Sequence, residues 1–568
     1  MLRIKIEKIN SLHSISEKSA LQYAIRSDLE QSGKQMNVTN RNSKSPWRDG
    51  CFLAISFGLL LANALAPNAN SEERHFEAEQ PNVLIIYADD LGYGDVHCYN
   101  PKSKILTPNI DRLANEGMRF TDAHSAATVC TPSRYSLLTG RYAFRLPNHG
   151  RVFDGIGGPN LIAKDRLSLG QMFSDLGYKT GCVGKWHIGM TFFDKEGKPI
   201  NKGGPEPVTR IDYERPIEGS PIHRGFDYFF GTAACPTTDW LYAFVEGDRV
   251  PVPPTQLLDK SKLPKHPYSR DNRRGWHADN FDLEEVDLLF LEKSKLFLDK
   301  HYETSPGKPF FLYHAMQAVH LPSFPADQFK GSSNSGPHGD FIIELDFIVG
   351  SLLESLKQHD VEQNTIVIFT SDNGPEVLTT VRMRQDHQHD GAAPWRGMKR
   401  DLWEGGHRVP MIVKWPGKVP TGSTTDALIC QTDLMATLAM ITGVQLPKNC
   451  AEDSIDFSKL LLGETQTGKR KFIVHQGFAG DKKLAIRSKK WKYLNCGDSG
   501  GNNYQKQPLL LPYRQNETAD NAPSQLYDLE TDPTESNNLY FQEPVIASKL
   551  NAKLEEIKSM SKTASPPQ

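Results

Sequence analysis

Cys130 opens the run Cys130-Thr131-Pro132-Ser133-Arg134, and Leu138-Thr139-Gly140-Arg141 follows it. A cysteine met alone is usually an inert core residue or half of a disulfide. Here its neighbours matter. Pro132 suits a first helical turn, where its missing N–H is not needed. Gly140 suits the end of a helix. Cys130 is therefore expected at the start of a short helix, where backbone N–H groups converge on an anion.

Two further pairs carry chemistry. Asp89-Asp90 and Asp372-Asn373 each follow an apolar run. Taken singly, each is a good turn sequence, one before Gly92 and one before Gly374. Taken together they offer carboxylate and amide oxygens, hard ligands that suit Ca²⁺ or Mg²⁺ rather than zinc. Lys185 and His187 stand in Val183-Gly184-Lys185-Trp186-His187. This is not a phosphate-binding P-loop, because Lys179 stands where that motif requires glycine and Trp186 replaces its Ser/Thr. In isolation the pair reads as a loop lysine and a packed histidine. His320 follows the apolar run Phe310-Phe311-Leu312-Tyr313, whereas His314 falls inside that run and reads as structural. Lys399 closes Arg396-Gly397-Met398-Lys399. His387, His389 and Asp390 precede it, as substrate contacts or as a solvent-exposed loop.

These residues need a scaffold. Val83–Tyr87, Phe310–His314 and Ile366–Thr370 are continuous apolar runs, as expected of strands buried on both faces. Thr107-Pro108 starts a helix that turns Ile110 and Leu113 inward and closes at Gly117. Residues 342–356 form a long amphipathic helix. Alternating strands and helices predict an α/β domain with a largely parallel sheet. Asp89-Asp90, His320 and Asp372-Asn373 all follow strand ends, where open parallel sheets place their ligands. After about residue 440 the texture changes. Phe472–His475, Leu484–Arg487 and Trp491–Asn495 read as short strands, with Lys489-Lys490 turning a hairpin. Leu526–Leu529 reads as a closing element and Val545–Met560 as a terminal helix. Residues 191–222 and 246–280 read as surface loops bordering the site.

The chain has 568 residues, a formal charge of −2 and 38% hydrophobic content. It can bury a large core in one large domain plus a smaller one. Its balanced charge argues against general nucleic-acid or membrane-surface binding. None of the eight cysteines forms a Cys-x-x-Cys pair, so no zinc site is expected. The apolar stretch 51–66 is short for a membrane span. Arg41, Lys44 and Arg48 precede it, and Ala62-Asn63-Ala64 and Ala64-Leu65-Ala66 both fit a signal-peptidase site. It reads as a secretory signal preceded by some fifty residues, and a start at Met36 gives a leader of ordinary length. The other reading is an uncleaved anchor helix. The expected layout is an extension and signal over 1–66, a linker over 67–80, a catalytic domain over 81–440 and a C-terminal subdomain over 441–568. The product is expected outside the cytoplasm, periplasmic or extracellular.

Five separated segments across residues 80–540 resemble, in order, the formylglycine-dependent sulfatases of the alkaline-phosphatase-like superfamily. They are the Cys130 run, Gly184-Lys185-Trp186-His187, Gly225–Gly231, the His320 region, and Arg396–Lys399 with Glu404–Pro410. Two positions depart from the family pattern: Val319 replaces a proline before His320, and Arg400 stands where glycine is common. After Gly231, many relatives carry a hydroxyl side chain, and Cys235, Thr237 and Thr238 are the candidates here.

The resemblance implies an alkaline-phosphatase-like fold with a C-terminal antiparallel sheet plus helix, and a sulfuric ester hydrolase. A formylglycine-generating maturation enzyme would oxidise Cys130 to an aldehyde whose hydrate is the nucleophile. Asp89, Asp90, Asp372 and Asn373 would hold one Ca²⁺, with modified Cys130 as a further ligand. Arg134 joins the catalytic set by its place in the motif. Lys185 would bind sulfate or the hydrate, His187 would help release sulfate, and His320 and Lys399 would bind the scissile sulfate, one or the other protonating the leaving oxygen. Arg408 supports the fold. The substrate is an aryl or carbohydrate sulfate ester, and export favours a sulfated polysaccharide. The basic stretch from Lys260 to Arg274 is either a rim for such a polymer or plain solvated surface. Two other readings remain: a phosphonate monoester or phosphodiester hydrolase on the same scaffold, and a non-catalytic sulfated-glycan-binding protein.

Overall fold

Strand β1 (Asn82–Ala88) is buried along its whole length. Its side chains point alternately to the two faces of the sheet, so apolar cover is required on both. The computed structural model describes residues 80–561, apart from 148–151, 154, 155, 157, 271 and 517. The signal and most of the linker expected before residue 80 lie outside the described residues. Among these, no helix is long and apolar enough to cross a membrane.

Helix α1 (Pro108–Glu116) follows, with Thr107 and Gly117 at its ends as the sequence predicts. Then come β2 (Met118–Phe120), helix α2 (Cys130–Thr139), β3 (Lys179–Lys185), β4 (Tyr228–Thr232) and β5 (Val245–Glu246). Helix α3 (Val286–Thr304) leads to β6 (Phe310–Ala315), and α4 (Gly336–Gln358) to β7 (Thr365–Ser371). Helix α5 (Val377–His387), β8 (Met411–Lys414), β9 (Ser423–Thr425) and α6 (Asp433–Ile441) complete this part. The nine-stranded sheet runs β9-β2-β8-β7-β1-β6-β3-β4-β5. Its five central strands, β7 to β4, are parallel, with Ile85 of β1 level with Tyr313 and Ile368. Strands β8 and β5 pair antiparallel at either side. This is the mostly parallel α/β sheet read from the sequence.

A second sheet, β10 (Ile473–Gly477), β11 (Gly480–Arg487), β12 (Trp491–Leu494) and β13 (Gln525–Asp528), is antiparallel throughout. Helix α7 (Pro544–Ser559) covers it through Leu550 and Leu554, against Ile473, Leu484 and Leu526. Strand β10 also touches the catalytic half. The Gln476 N–H donates to the Ala126 carbonyl at 3.0 Å, and its own carbonyl accepts from the Thr128 N–H at 3.0 Å. The backbone leading into Cys130 is thus held by the C-terminal sheet.

Behind it lies a buried polar layer. Arg487 of β11 donates to Asp122 at 2.7 Å and Glu404 at 3.0 Å, and Lys492 of β12 meets Glu404 at 3.0 Å and Glu535 at 2.9 Å. His407 stacks on His475 with ring centres 3.5 Å apart, and its Nδ1 lies 3.0 Å from that of His124. Arg408 bonds Thr121 and Glu404, which fits the structural role expected of it.

Candidate active site

Helix α2 is buried at every position, and Cys130 is its first residue. Extended Val129 precedes it. Gly140 ends it in the left-handed region (φ 63°), donating to the Ser136 carbonyl at 3.0 Å. The geometry is the one its glycine and proline predict, and the Cys130 side chain stands where unpaired helical N–H groups gather.

Four strand ends supply the rest. Beyond β1 the chain bends at Asp90, which takes a positive φ of 61°. Consecutive aspartates that would otherwise face opposite sides therefore reach one region. The Asp90 N–H donates to Asp372 Oδ1 at 3.2 Å, and Asn373 Nδ2 donates to Asp90 Oδ1 at 2.7 Å. Gly374 lets this turn lie against the 396–405 loop, since a Cβ there would sit 1.8 Å from the Gly405 carbonyl. Arg134 Nε and Nη2 both donate to Asp372 Oδ2, at 3.1 and 2.9 Å, and Nη2 lies 3.4 Å from Asp89 Oδ2. Lys185, at the end of β3, contacts Asp89 Oδ2. Lys399 Nζ lies 2.7 Å from Asp90 Oδ2, and His320 Nε2 is 3.8 Å from the same oxygen.

The electrostatics follow from this crowding. Burial opposes ionisation of Asp89, but Lys185, His320, Arg134 and Lys399 outweigh it and hold the carboxyl well below the usual range. Burial and the charge of Asp89 push Asp372 up, against the pull of Arg134. Burial and Lys399 oppose protonation of His320. Cys235, Asp90 and Asp89 overcome them and raise its pKa to about 9. Lys399 is likewise raised, by Asp90 and Glu376 against burial. The carboxylates around them favour the protonated form of both.

The donor set fits a hard cation. Asp89 Oδ1 and Asn373 Oδ1 are buried, and neither has a hydrogen-bond partner. Buried oxygens left unmet are costly, and carboxylate and amide oxygens are what Ca²⁺ or Mg²⁺ takes.

Above these groups opens a cavity of ≈ 270 Å³, lined by Cys130, His187, Cys235, His320 and Lys399 among others. Of the hydroxyl-position candidates, Cys235 and Thr238 line it and Thr237 does not. Cys235 Sγ sits 3.8 Å from His187 Nδ1 and 3.9 Å from His320 Nε2. A hydrogen bond with Cys130, helped by Lys185 and His320, lowers its thiol pKa well below the ordinary value despite burial. All seven cysteines among the described residues are free thiols.

The cavity also takes in Asp239, Arg273, Glu376, Arg400 and the half-exposed Phe478. Sequence reasoning did not single out Asp239, Glu376 or Phe478, which stand in no motif. Arg273 comes from the 246–280 segment, whereas no residue of 191–222 lines the cavity. Nor do His387, His389 and Asp390. His389 is buried, 2.8 Å from Asp95. His314 is structural, with Nδ1 2.8 Å from Ser294 Oγ.

A cavity lined by Arg273, His320, Lys399 and Arg400 above a hard-ligand set can bind an oxyanion ester and deliver a proton to its leaving group. The comparisons agree. The sulfatase family model matches residues 81–444, more than half of the chain, and the C-terminal model of N-sulphoglucosamine sulphohydrolase matches 395–496. The N-acetylgalactosamine-6-O-sulfatase of Bacteroides thetaiotaomicron is 34% identical over 85% of this chain and 94% of its own length. Human arylsulfatase A is 32% identical over 81% of this chain and 84% of its own. A solved structure from the glycosaminoglycan metabolism of B. thetaiotaomicron superposes with a TM-score of 0.71 at 32% identity, covering 85% of this chain and all of that one. The chain belongs to the formylglycine-dependent sulfatase family and is a sulfuric ester hydrolase.

Proposed function

We propose that this protein is an exported sulfatase that removes sulfate from a carbohydrate, foremost the 6-sulfate of an amino sugar within a sulfated polysaccharide. One observation carries the site assignment: Cys130, His187, His320 and Lys399 line one cavity directly above Asp89, Asp90, Asp372 and Asn373. The sugar assignment is supported by similarity to the N-acetylgalactosamine-6-O-sulfatase. Export is supported by the apolar, small-residue-ended stretch 51–66.

Asp89, Asp90, Asp372 and Asn373 would hold one Ca²⁺, which when bound would neutralise sulfate oxygens and lower the pKa of the attacking hydroxyl. Formylglycine made from Cys130 supplies that hydroxyl and a second one through which sulfate can be expelled. The chain's own side chains do the rest. Arg134 fixes Asp372 and Asp89, and Lys185 balances Asp89. Protonated His320 and Lys399 bind the anionic ester, and Lys399 donates one proton to the leaving alcohol oxygen. His187, held by the Phe153 carbonyl at 3.0 Å, accepts a proton during sulfate release. The buried floor keeps these charges from water and so strengthens them.

The test is a panel of substrates with enzyme co-produced with the maturation enzyme. N-acetylgalactosamine 6-sulfate and its oligosaccharides should be cleaved well above the 4-sulfates and an aryl phosphodiester. A preference for the phosphodiester would overturn the reading. N-terminal sequencing of exported material should begin between Ala64 and Pro67.

A further inference from the structure

Arg400 holds the left-handed backbone region, with φ 81°, which favours glycine. A non-glycine residue stays there only where its surroundings hold it. Its surroundings are specific. Nη1 and Nη2 each lie 2.8 Å from one oxygen of Glu376, a fork-on-fork pair. The Arg400 N–H also donates to the Thr128 carbonyl at 2.9 Å, two residues before Cys130.

Glu376 is itself fixed. It precedes α5, and its Oε1 accepts from the Val377 N–H at 2.9 Å. Its Oε2 lies 3.5 Å from Lys399 Nζ, whose other partner is Asp90 at 2.7 Å. Lys399 is thus held between two carboxylates, one on the ligand turn and one clamped by Arg400. A lysine ammonium on four methylenes has many rotamers. Asp90 alone would leave it free to swing within the cavity.

The geometry points to Glu376 and Arg400 as a positioning pair that aims Lys399 at the leaving oxygen, a device this chain maintains through a strained backbone. The inference rests on the proton-donor role given above to Lys399. Arg400 acts at second hand, through Glu376, and donates no proton itself. Only where the leaving group needs a proton should a misplaced Lys399 be costly, because a good leaving group departs without help.

The experiment compares two sulfate esters, 4-nitrophenyl sulfate and a sugar 6-sulfate whose alkoxide is a poor leaving group. Arg400→Gly relieves the strained backbone and removes the clamp. It should lower kcat for the sugar sulfate about tenfold or more, and for the nitrophenyl ester less than about threefold. Glu376→Gln should show the same inequality, and serves if Arg400→Gly folds poorly; thermal unfolding of each variant checks this. In a Lys399→Ala background the Arg400→Gly change should add less than about twofold, because the pair acts through that lysine. Equal losses on both esters, or additive losses in the double variant, would overturn the positioning role. If Lys399→Ala alone leaves the sugar sulfate rate intact, it is the assigned role of Lys399 that falls.

Discussion

Arg134 donates two hydrogen bonds to a single oxygen of Asp372, at 3.1 and 2.9 Å, leaving the other oxygen to accept from the Asp90 N–H. Arg134 lies one helical turn after Cys130, so this contact ties the nucleophile's helix to the far strand end. Both side chains are fully buried. Arg134→Ala would leave Asp372 without its cation in a site already crowded by Asp89. Breaking a buried pair in this way costs about 3–5 kcal/mol. The expected result is a large fall in denaturation midpoint and loss of turnover. Arg134→Lys should recover folding more than rate, since it keeps the charge but not the fork.

Cys130 should appear as the aldehyde or its hydrate in mass spectra of the tryptic peptide from active enzyme. Cys130→Ala should lose nearly all turnover. Cys130→Ser should at best react once, because serine lacks a second hydroxyl for expelling sulfate. Full activity with the thiol intact would remove formylglycine from the account.

Asp372→Ala and Asn373→Ala should each reduce bound divalent metal, read by elemental analysis of purified protein. Asn373→Ala takes away one of the two unpartnered oxygens without changing charge, so it separates ligation from charge balance. Unchanged metal content in both variants would refute the assignment. Chelation followed by Ca²⁺ or Mg²⁺ return should restore the wild type, with Ca²⁺ the more effective.

The basic stretch divides on inspection. Arg273 lines the cavity and lies over the Trp240 ring, with 5.2 Å between guanidinium carbon and ring centre. Arg270 and Arg274 are exposed. Arg273→Ala should raise KM for a sulfated oligosaccharide about tenfold at any salt. The pair Arg270→Ala and Arg274→Ala should matter only at low salt, since charges at the surface are screened beyond about 8 Å at physiological ionic strength. Salt-independent loss in the pair variant would mean direct contact instead.

Acid should loosen the fold through the buried histidines. Burial, with Arg487 nearby, lowers His124 to about 4. Burial and neighbouring cations also hold His407 and His475 well below the ordinary value. Unfolded histidine takes up its proton near pH 6.5. Between that pH and about 4 the unfolded chain therefore binds more protons than the native one, and stability falls as pH falls. Each tenfold difference in proton affinity is worth about 1.4 kcal/mol. Urea unfolding from pH 7.5 to 4.5 should show this slope, and His475→Gln should reduce it.

Much of the site was legible because its chemistry is local. Asp89, Asp90, Asp372 and Asn373 sit just past buried apolar strands, and such strands announce both themselves and their ends. Cys130 and Lys185 stand in short runs whose prolines, glycines and spacing carry the geometry. Glu376 could not be read this way. It is one glutamate before a helix, and its meaning comes from Arg400, 24 residues later, and from a fold that returns Lys399 beside it. Cys235 was one of three candidates because a loop does not reveal which side chain turns inward. The layer of His124, His407 and His475 was invisible for a related reason: three distant segments meet only once both sheets are packed.

That layer bears on how the gene could be recombined. Arg487 and Lys492 belong to the C-terminal sheet, while Asp122 and Glu404 belong to the sequence before it. Arg408 gives Asp122 and Glu404 one cation from their own side, and Glu535 meets Lys492 on the other, so each group is only partly balanced without its opposite. A chimera that grafts a relative's C-terminal segment onto this chain would leave buried charges short of partners unless Asp122, Glu404, Arg487 and Lys492 travel together. Shuffling relatives within this family is therefore expected to succeed at loops around the cavity mouth and to fail at the junction near residue 440.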